Sequence, residues 1–223
     1  MEKNIEEKTQ ENVSFATKSE MFIEKNKTAI IICVVAIVVV VLAIFGIKKF
    51  VSEPRQEKAS EMAFAAEQWF AQGEYETALN GNEQHAGLLS VIDKYGSTKT
   101  GKRAKLEAGI CYLNMGNYKE ALNYLKKYNG KDQMTPIFDE MCQGDAEIEQ
   151  GNIDAAIKHY TKAAKMDNNY ITAPAALFKA GMCHLQNNNS KDAIACFQQV
   201  KDNYPESNLA SEMDRYIAYA ENL

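Results

Sequence analysis

The side chains to weigh first for chemistry in this 223-residue chain are three histidines, five cysteines and paired carboxylates such as Asp139-Glu140. His85, His159 and His184 each stand apart, with no second His, Cys or acid at the spacing a metal ion requires. Cys33, Cys111, Cys142, Cys183 and Cys196 form no CxxC pair. Each sits inside an apolar helical pattern, where a thiol behaves as a small buried hydrophobe. A disulfide between neighbouring helices, Cys142 with Cys183 for example, cannot be derived from spacing. Asp139 and Glu140 are adjacent, so on a helix they point in different directions, and a solvated face is expected. Gly130-Lys131 lacks the glycines of a phosphate loop, and neither GxSxG nor HExxH occurs. No catalytic residue, metal site, cofactor or small-molecule substrate is expected, so function has to be sought in binding.

Composition narrows the partners. The net charge is −5 and no basic stripe with interleaved aromatics is present, which argues against nucleic acid. With 46% hydrophobic residues, 25% charged residues and four prolines, the chain has material for one or two domains with a real core.

Residues 29–47, AIIICVVAIVVVVLAIFGI, carry no charge and are flanked by Lys25 and Lys27 before and Lys48-Lys49 after. A helix of this length spans about 28 Å, close to the roughly 30 Å of a bilayer's hydrocarbon core. It is too long for the apolar core of a cleaved signal, and no convincing small-x-small cleavage site follows it. Nor is Cys33, preceded by Ile30-Ile31-Ile32, a lipoprotein cysteine. One retained transmembrane helix is expected over 29–47. A polar, Glu-rich segment over 1–28, mostly disordered around one short amphipathic piece (MFIEKNK), precedes it, and a juxtamembrane linker over 48–56 follows. Lys18, Lys25 and Lys27 on one side against Lys48, Lys49, Arg55 and Lys58 on the other leave the orientation open by charge.

Beyond residue 57 the chain repeats itself. Four turns align: Gly73-Glu74-Tyr75, Gly116-Asn117-Tyr118, Gly151-Asn152-Ile153 and Asn188-Asn189-Ser190. Each is followed by an alanine and an aliphatic, Ala78-Leu79, Ala121-Leu122, Ala156-Ile157 and Ala193-Ile194. Each is preceded, seven residues earlier, by Ala66, Gly109, Gly144 or Gly181. Small residues on two antiparallel helices allow close approach, and Gly or Asn between them tolerates positive φ. One such pair cannot bury its apolar surface alone, so pairs must stack.

This pattern resembles the tetratricopeptide repeat, a 34-residue helix-turn-helix. Gly181, Ala193, Phe197 and Pro205 occupy its small, alanine, aromatic and proline positions, and Gly109, Tyr112, Gly116, Tyr118 and Ala121 match in the second copy. The third copy departs at Glu147, where an aromatic is usual. The first departs through about six extra residues within NGNEQHAGL. The resemblance implies an all-α solenoid over 57–223, with repeats at about 57–98, 102–135, 137–170 and 174–207 and a capping helix over 208–221.

The layout, a short polar N-terminus, one apolar helix and four degenerate repeats, also resembles the bacterial ancillary Sec-translocon subunit family. That resemblance implies a single-pass inner-membrane protein with its N-terminus in the cytoplasm and its repeats in the periplasm. There the repeats would be linked to translocon subunits, periplasmic chaperones or unfolded clients. Five cysteines in an oxidising compartment then require burial.

In the tetratricopeptide pattern the first helix of each pair lines a concave groove. Here the inward positions carry Leu106, Ile110 and Leu113, then Phe138, Met141 and Ile148, then Phe178, Met182 and Leu185. Leu106 and Ile110 stand where a carboxylate clamp would need polar side chains, which excludes capture of an acidic tail. An apolar or amphipathic segment, bound as a helix in a groove, fits these residues. The groove is either open or filled by the chain itself, through the capping helix or the inserted LLSVI segment. The expected function is a membrane-anchored scaffold at the Sec translocon, with a structural adaptor in another envelope assembly (cell division or surface-polymer export) as the alternative.

Overall fold

The computed structural model describes residues 21–130, 135–166 and 169–223. Residues 1–20, including Lys18 and most of the polar N-terminal segment, lie outside the described residues, as does Lys131. Two units divide between Pro54 and Arg55.

In the first unit residues 21–25 are helical, so the amphipathic MFIEKNK piece, within a segment expected to be mostly disordered, has regular structure. Helix α1 covers Lys27–Ile47 and contains no buried residue. The stretch 48–56, expected as a linker, is helical: a π-helical segment, Lys48–Ser52, is followed by α2 from Glu53.

The second unit is built of helices. After α2 (Glu53–Gln72) come α3 (Tyr75–Asn80) and α4 (Leu88–Tyr95), then α5 (Lys99–Asn114) and α6 (Tyr118–Leu125). They are followed by α7 (Thr135–Glu149), α8 (Ile153–Met166), α9 (Thr172–Gln186) and α10 (Ser190–Asn203). A 3-10 turn, Ala210–Glu212, leads into α11 (Met213–Glu221). No strand occurs among the described residues; the one bridge joins Gly81 to Ala86.

Each helix pair is closed by the same turn. Gly73, Gly116, Gly151 and Asn188 have φ of 80°, 76°, 80° and 55°. Each of these amides bonds the carbonyl three residues back, and the next amide bonds the carbonyl five residues back: Glu74 to Trp69, Asn117 to Tyr112, Asn152 to Glu147 and Asn189 to His184. This is the Schellman arrangement, which satisfies the last carbonyls of the first helix while reversing the chain.

The packing inside each pair rests on the small residue. A Cβ added at Gly109 would lie 2.6 Å from Leu125 Cδ2, at Gly144 2.5 Å from Tyr160 Cε1, and at Gly181 2.5 Å from Phe197 Cε1. The bulky partner stands sixteen residues after its glycine each time. The predicted alanines Ala78, Ala121, Ala156 and Ala193 are all fully buried, as is Ala66. In the first pair the sixteenth residue after Ala66 is Asn82, which falls in the 81–87 insertion. Here α4 supplies the missing bulk, with Leu88 and Val91 packed against Ala63, Ala66, Ala104 and Ala108. The insertion therefore breaks the second helix without opening the core.

Successive pairs stack through a second register. Five and one before the small residue, and two after it, stand Ala104, Ala108 and Cys111 on α5, Asp139, Gln143 and Ala146 on α7, and Ala176, Ala180 and Cys183 on α9; all are buried. At the start of α2, Gln56 Nε2 donates to Thr100 Oγ1 at 2.6 Å, tying the first pair to the second, while Arg55 donates to the Lys94 carbonyl of α4 at 2.8 Å within the first pair.

Gly181→Ala should cost about 1–3 kcal/mol through overpacking against Phe197, and lower the thermal midpoint by roughly 2–4 °C per kcal/mol. Asn188→Gly should raise stability by up to about 1 kcal/mol, since glycine adopts positive φ without a Cβ penalty. Calorimetry or denaturant titration checks both; an unchanged midpoint for Gly181→Ala would mean that the helices do not meet there.

Candidate functional site: the first-helix face

Three of the nine sequence-predicted groove residues come together. Ile148 from α7 and Met182 and Leu185 from α9 line one cavity of about 610 Å³. Met182 is exposed, and Phe138, nearer the start of α7, is 45% exposed. Met141 is half-buried against the cluster that holds Ile137 and Phe197. Ile110 and Leu113 are half-buried against Ala121, Leu122 and Leu125. Leu106 is different: at 5% exposure it belongs to the core and offers no surface to a partner. Its position on α5 faces the α6 leucines rather than an open wall.

Phe178 is covered by the chain itself. The Tyr216 ring of α11 stands edge-on to it at 4.9 Å, and Phe197 lies 5.9 Å away. The capping helix thus fills the end of the predicted groove, and its Tyr219, with Leu223, borders the cavity. The inserted LLSVI segment does not fill it, because Leu88 and Val91 are core residues of the first pair.

The cavity also has a polar floor that sequence reasoning missed. Tyr160 donates its hydroxyl to Asp145 Oδ1 at 2.6 Å, and Lys179 pairs with the same carboxylate. The Lys179 ammonium lies 5.6 Å from the Tyr160 ring centroid. Burial, then the bond to Asp145, drives the Tyr160 phenol far above its ordinary range. These residues come from three different helices, and no local spacing announces them.

Asp139 and Glu140 correct the expectation of a solvated face, for both are buried. Glu140 accepts from Lys162 Nζ at 2.5 Å and lies 2.9 Å from His159 Nδ1. Asp139 Oδ2 accepts from Gln143 Nε2 at 2.8 Å, while its Oδ1 is buried with no hydrogen-bond partner among the described residues. Desolvation raises the Asp139 carboxyl to about 7, with Gln143 opposing and Glu140 reinforcing. Glu107 is likewise raised to about 7, first by burial and then by Glu67, against the pull of Arg103. Glu147, where an aromatic was expected, is buried and accepts from Asn152 Nδ2 at 2.8 Å, holding its own turn.

All five cysteines are free, including Cys142 and Cys183, weighed above as a disulfide pair. Burial pushes Cys111 and Cys142 up to about 12 and Cys183 up to about 11. Such thiols stay protonated at neutral pH and are poor nucleophiles. Cys33, on α1, is exposed. His85 stacks edge-on to Trp69 and His184 is half-buried with Nδ1 sequestered. Among the described residues no three His, Cys, Asp or Glu side chains are grouped to hold a metal ion.

The fold is thus a series of helix pairs closed by the same turn, with a glycine set against a bulky residue in the last three. Residues 103–131 and 143–208 each match the tetratricopeptide repeat. Over those residues the chain carries tetratricopeptide repeats. The matched stretches leave out the first pair, whose second helix the 81–87 insertion divides. No curated protein matches the chain. Repeats of this kind serve protein–protein interaction, which directs attention to the surface of the first helices rather than to any buried group.

The raised carboxyls set a pH dependence. Folded Asp139 and Glu107 hold their protons to about pH 7, whereas the unfolded chain releases them near pH 4. The folded state therefore binds more protons between these values, and this contribution to stability is present at low pH and lost as pH rises through 7. Asp139→Asn should raise the thermal midpoint at pH 8 and flatten its fall between pH 5 and 8. A variant with the wild-type pH profile would show that this carboxyl is ionised in the fold.

Proposed function

We propose that the chain is a scaffold held in a bacterial inner membrane by α1, with its N-terminus cytoplasmic and its repeats periplasmic. In this reading it binds proteins at the Sec translocon: translocon subunits, periplasmic chaperones or emerging clients. The observation that carries the binding role is the cavity where Ile148, Met182 and Leu185 meet over the Asp145–Lys179 pair. An apolar wall above a polar floor suits an amphipathic segment laid along the first helices.

The anchor rests on α1. It is long and apolar enough to cross a membrane, and none of its residues is buried. A helix apolar on every side is stable only when surrounded by protein or lipid. Lipid surroundings also explain how a Val/Ile-rich run stays helical, since there the backbone must satisfy its own hydrogen bonds. Confinement at a membrane raises the effective concentration of a partner confined there too, so modest contacts in the cavity suffice.

A photocrosslinker placed at Gln186, an exposed residue in the lining of the same cavity, followed by identification of the captured proteins, tests the role. Translocon subunits or periplasmic chaperones are expected, and capture should fall about tenfold or more in Ile110→Asp and Met182→Asp, equivalent to at least about 1.4 kcal/mol. Consistent capture of cell-division or polymer-export components would replace the Sec assignment with the adaptor reading. Capture that survives both substitutions in a folded protein would remove the first-helix face from the account. Protease added to spheroplasts should cut within the repeats; protection would reverse the orientation.

A further inference from the structure

The stacking register that joins the repeats has an unmatched copy at the start of the domain. Counting five and one before Ala66, and two after it, the equivalents of the buried α5, α7 and α9 triplets are Glu61, Ala65 and Gln68 on α2. Glu61 and Gln68 are exposed and Ala65 is only half-buried. In the later pairs these positions pack on the second helix of the preceding pair: Ala104, Ala108 and Cys111 against Leu88 and Val91, for instance. The repeat unit begins at Arg55, so α2 has no preceding pair within it.

This face is shaped rather than flat. With the 81–87 loop, α2 encloses a cleft of about 570 Å³. Phe64 lines it and is 66% exposed, beside Met62, Ala65 and Trp69. The loop wall is held in place. Asn82 Oδ1 accepts from the amides of Gln84 and His85 at 2.9 and 2.8 Å, and Asn82 N donates to the His85 carbonyl at 2.9 Å. His85 in turn meets Trp69 edge-on at 6.4 Å. The cleft is therefore preformed. Its charge is one-sided: Glu61 is in the lining, and no Lys or Arg is.

We propose that this open face of α2 is a docking site for an amphipathic helix of a partner protein, with an apolar stripe over Phe64, Ala65 and Trp69 and a Lys or Arg opposite Glu61. The register argues for a helix, because a helix is what the same positions accept in each later pair. The charge argues for a basic one. It argues against a second copy of this chain, since a two-fold contact would bring the two Glu61 carboxylates together in an apolar surround. The site is distinct from the α7–α9 cavity, so the two readings stand or fall separately.

The test uses the full chain in detergent micelles, with empty micelles as blank, and two fluorescent amphipathic helices, one of Leu and Lys and one of Leu and Glu. Anisotropy should show the Leu/Lys helix binding. Phe64→Asp should weaken it at least tenfold although it adds negative charge. Glu61→Lys should weaken the Leu/Lys helix and bring in the Leu/Glu helix. Ile171→Asp, at an exposed apolar position that lines neither cavity, should leave binding unchanged. These substitutions are at exposed positions, and circular dichroism confirms that the fold is kept. Binding that is equal or tighter in Phe64→Asp would reduce the effect to bulk charge and overturn the proposal, as would an equal loss of binding in Ile171→Asp. A concentration-dependent dimer abolished by Phe64→Asp would give the face to a second copy and overturn it equally.

Discussion

Everything in the repeat domain depends on how closely the two helices of a pair can approach. Gly109, Gly144 and Gly181 leave a gap where a Cβ would stand, and Leu125, Tyr160 and Phe197 fill it from the facing helix. A bulky side chain thereby contacts backbone directly, at the density of a well-packed interior. The sixteen-residue interval follows from the geometry: up the first helix, around a turn with one residue at positive φ, and back down to the same level. Once this distance is set, the outer positions of each first helix lie at the right height to meet the previous pair, and stacking follows.

Function is then a matter of which surfaces stacking leaves over. Interior pairs have their first helices covered on both sides, and what remains is the strip carrying Phe138, Ile148 and Met182. The two ends of the array are treated differently. At the C-terminal end α11 lays Tyr216 on Phe178 and Phe197 and closes the stack. At the other end α2 keeps its stacking register uncovered, with exposed Glu61 and Gln68 at two of its three positions and Phe64 exposed beside them. The same physical rule thus produces a filled groove end, an open cavity and an unsatisfied terminal face.

Residues that answer to a single steric demand were legible in the sequence. The turn positions Gly73, Gly116, Gly151 and Asn188 admit few alternatives, and the buried alanines and glycines announce themselves by recurrence. The 81–87 insertion was visible as surplus length. Residues whose surroundings come from distant segments were not legible. Adjacency on a helix suggested solvent for Asp139 and Glu140, yet Lys162 and His159 of α8 arrive across the pair to cover Glu140. Leu106 was read as groove-facing because its position in the repeat is so in the family pattern, but the α6 leucines claim it. The Asp145–Tyr160–Lys179 cluster joins three helices and has no local signature. The apolar character of 29–47 was plain because it needs no partner to be recognised.

The close approach itself can be observed directly. In a protein labelled for nuclear magnetic resonance, Gly144 Hα should show a strong Overhauser contact to the Tyr160 ring, and Gly181 Hα the same to Phe197. Both contacts present, in a full-length folded chain, are what the account predicts. Their absence, with the helices intact, would mean that the pairs are held apart by other side chains and would contradict it.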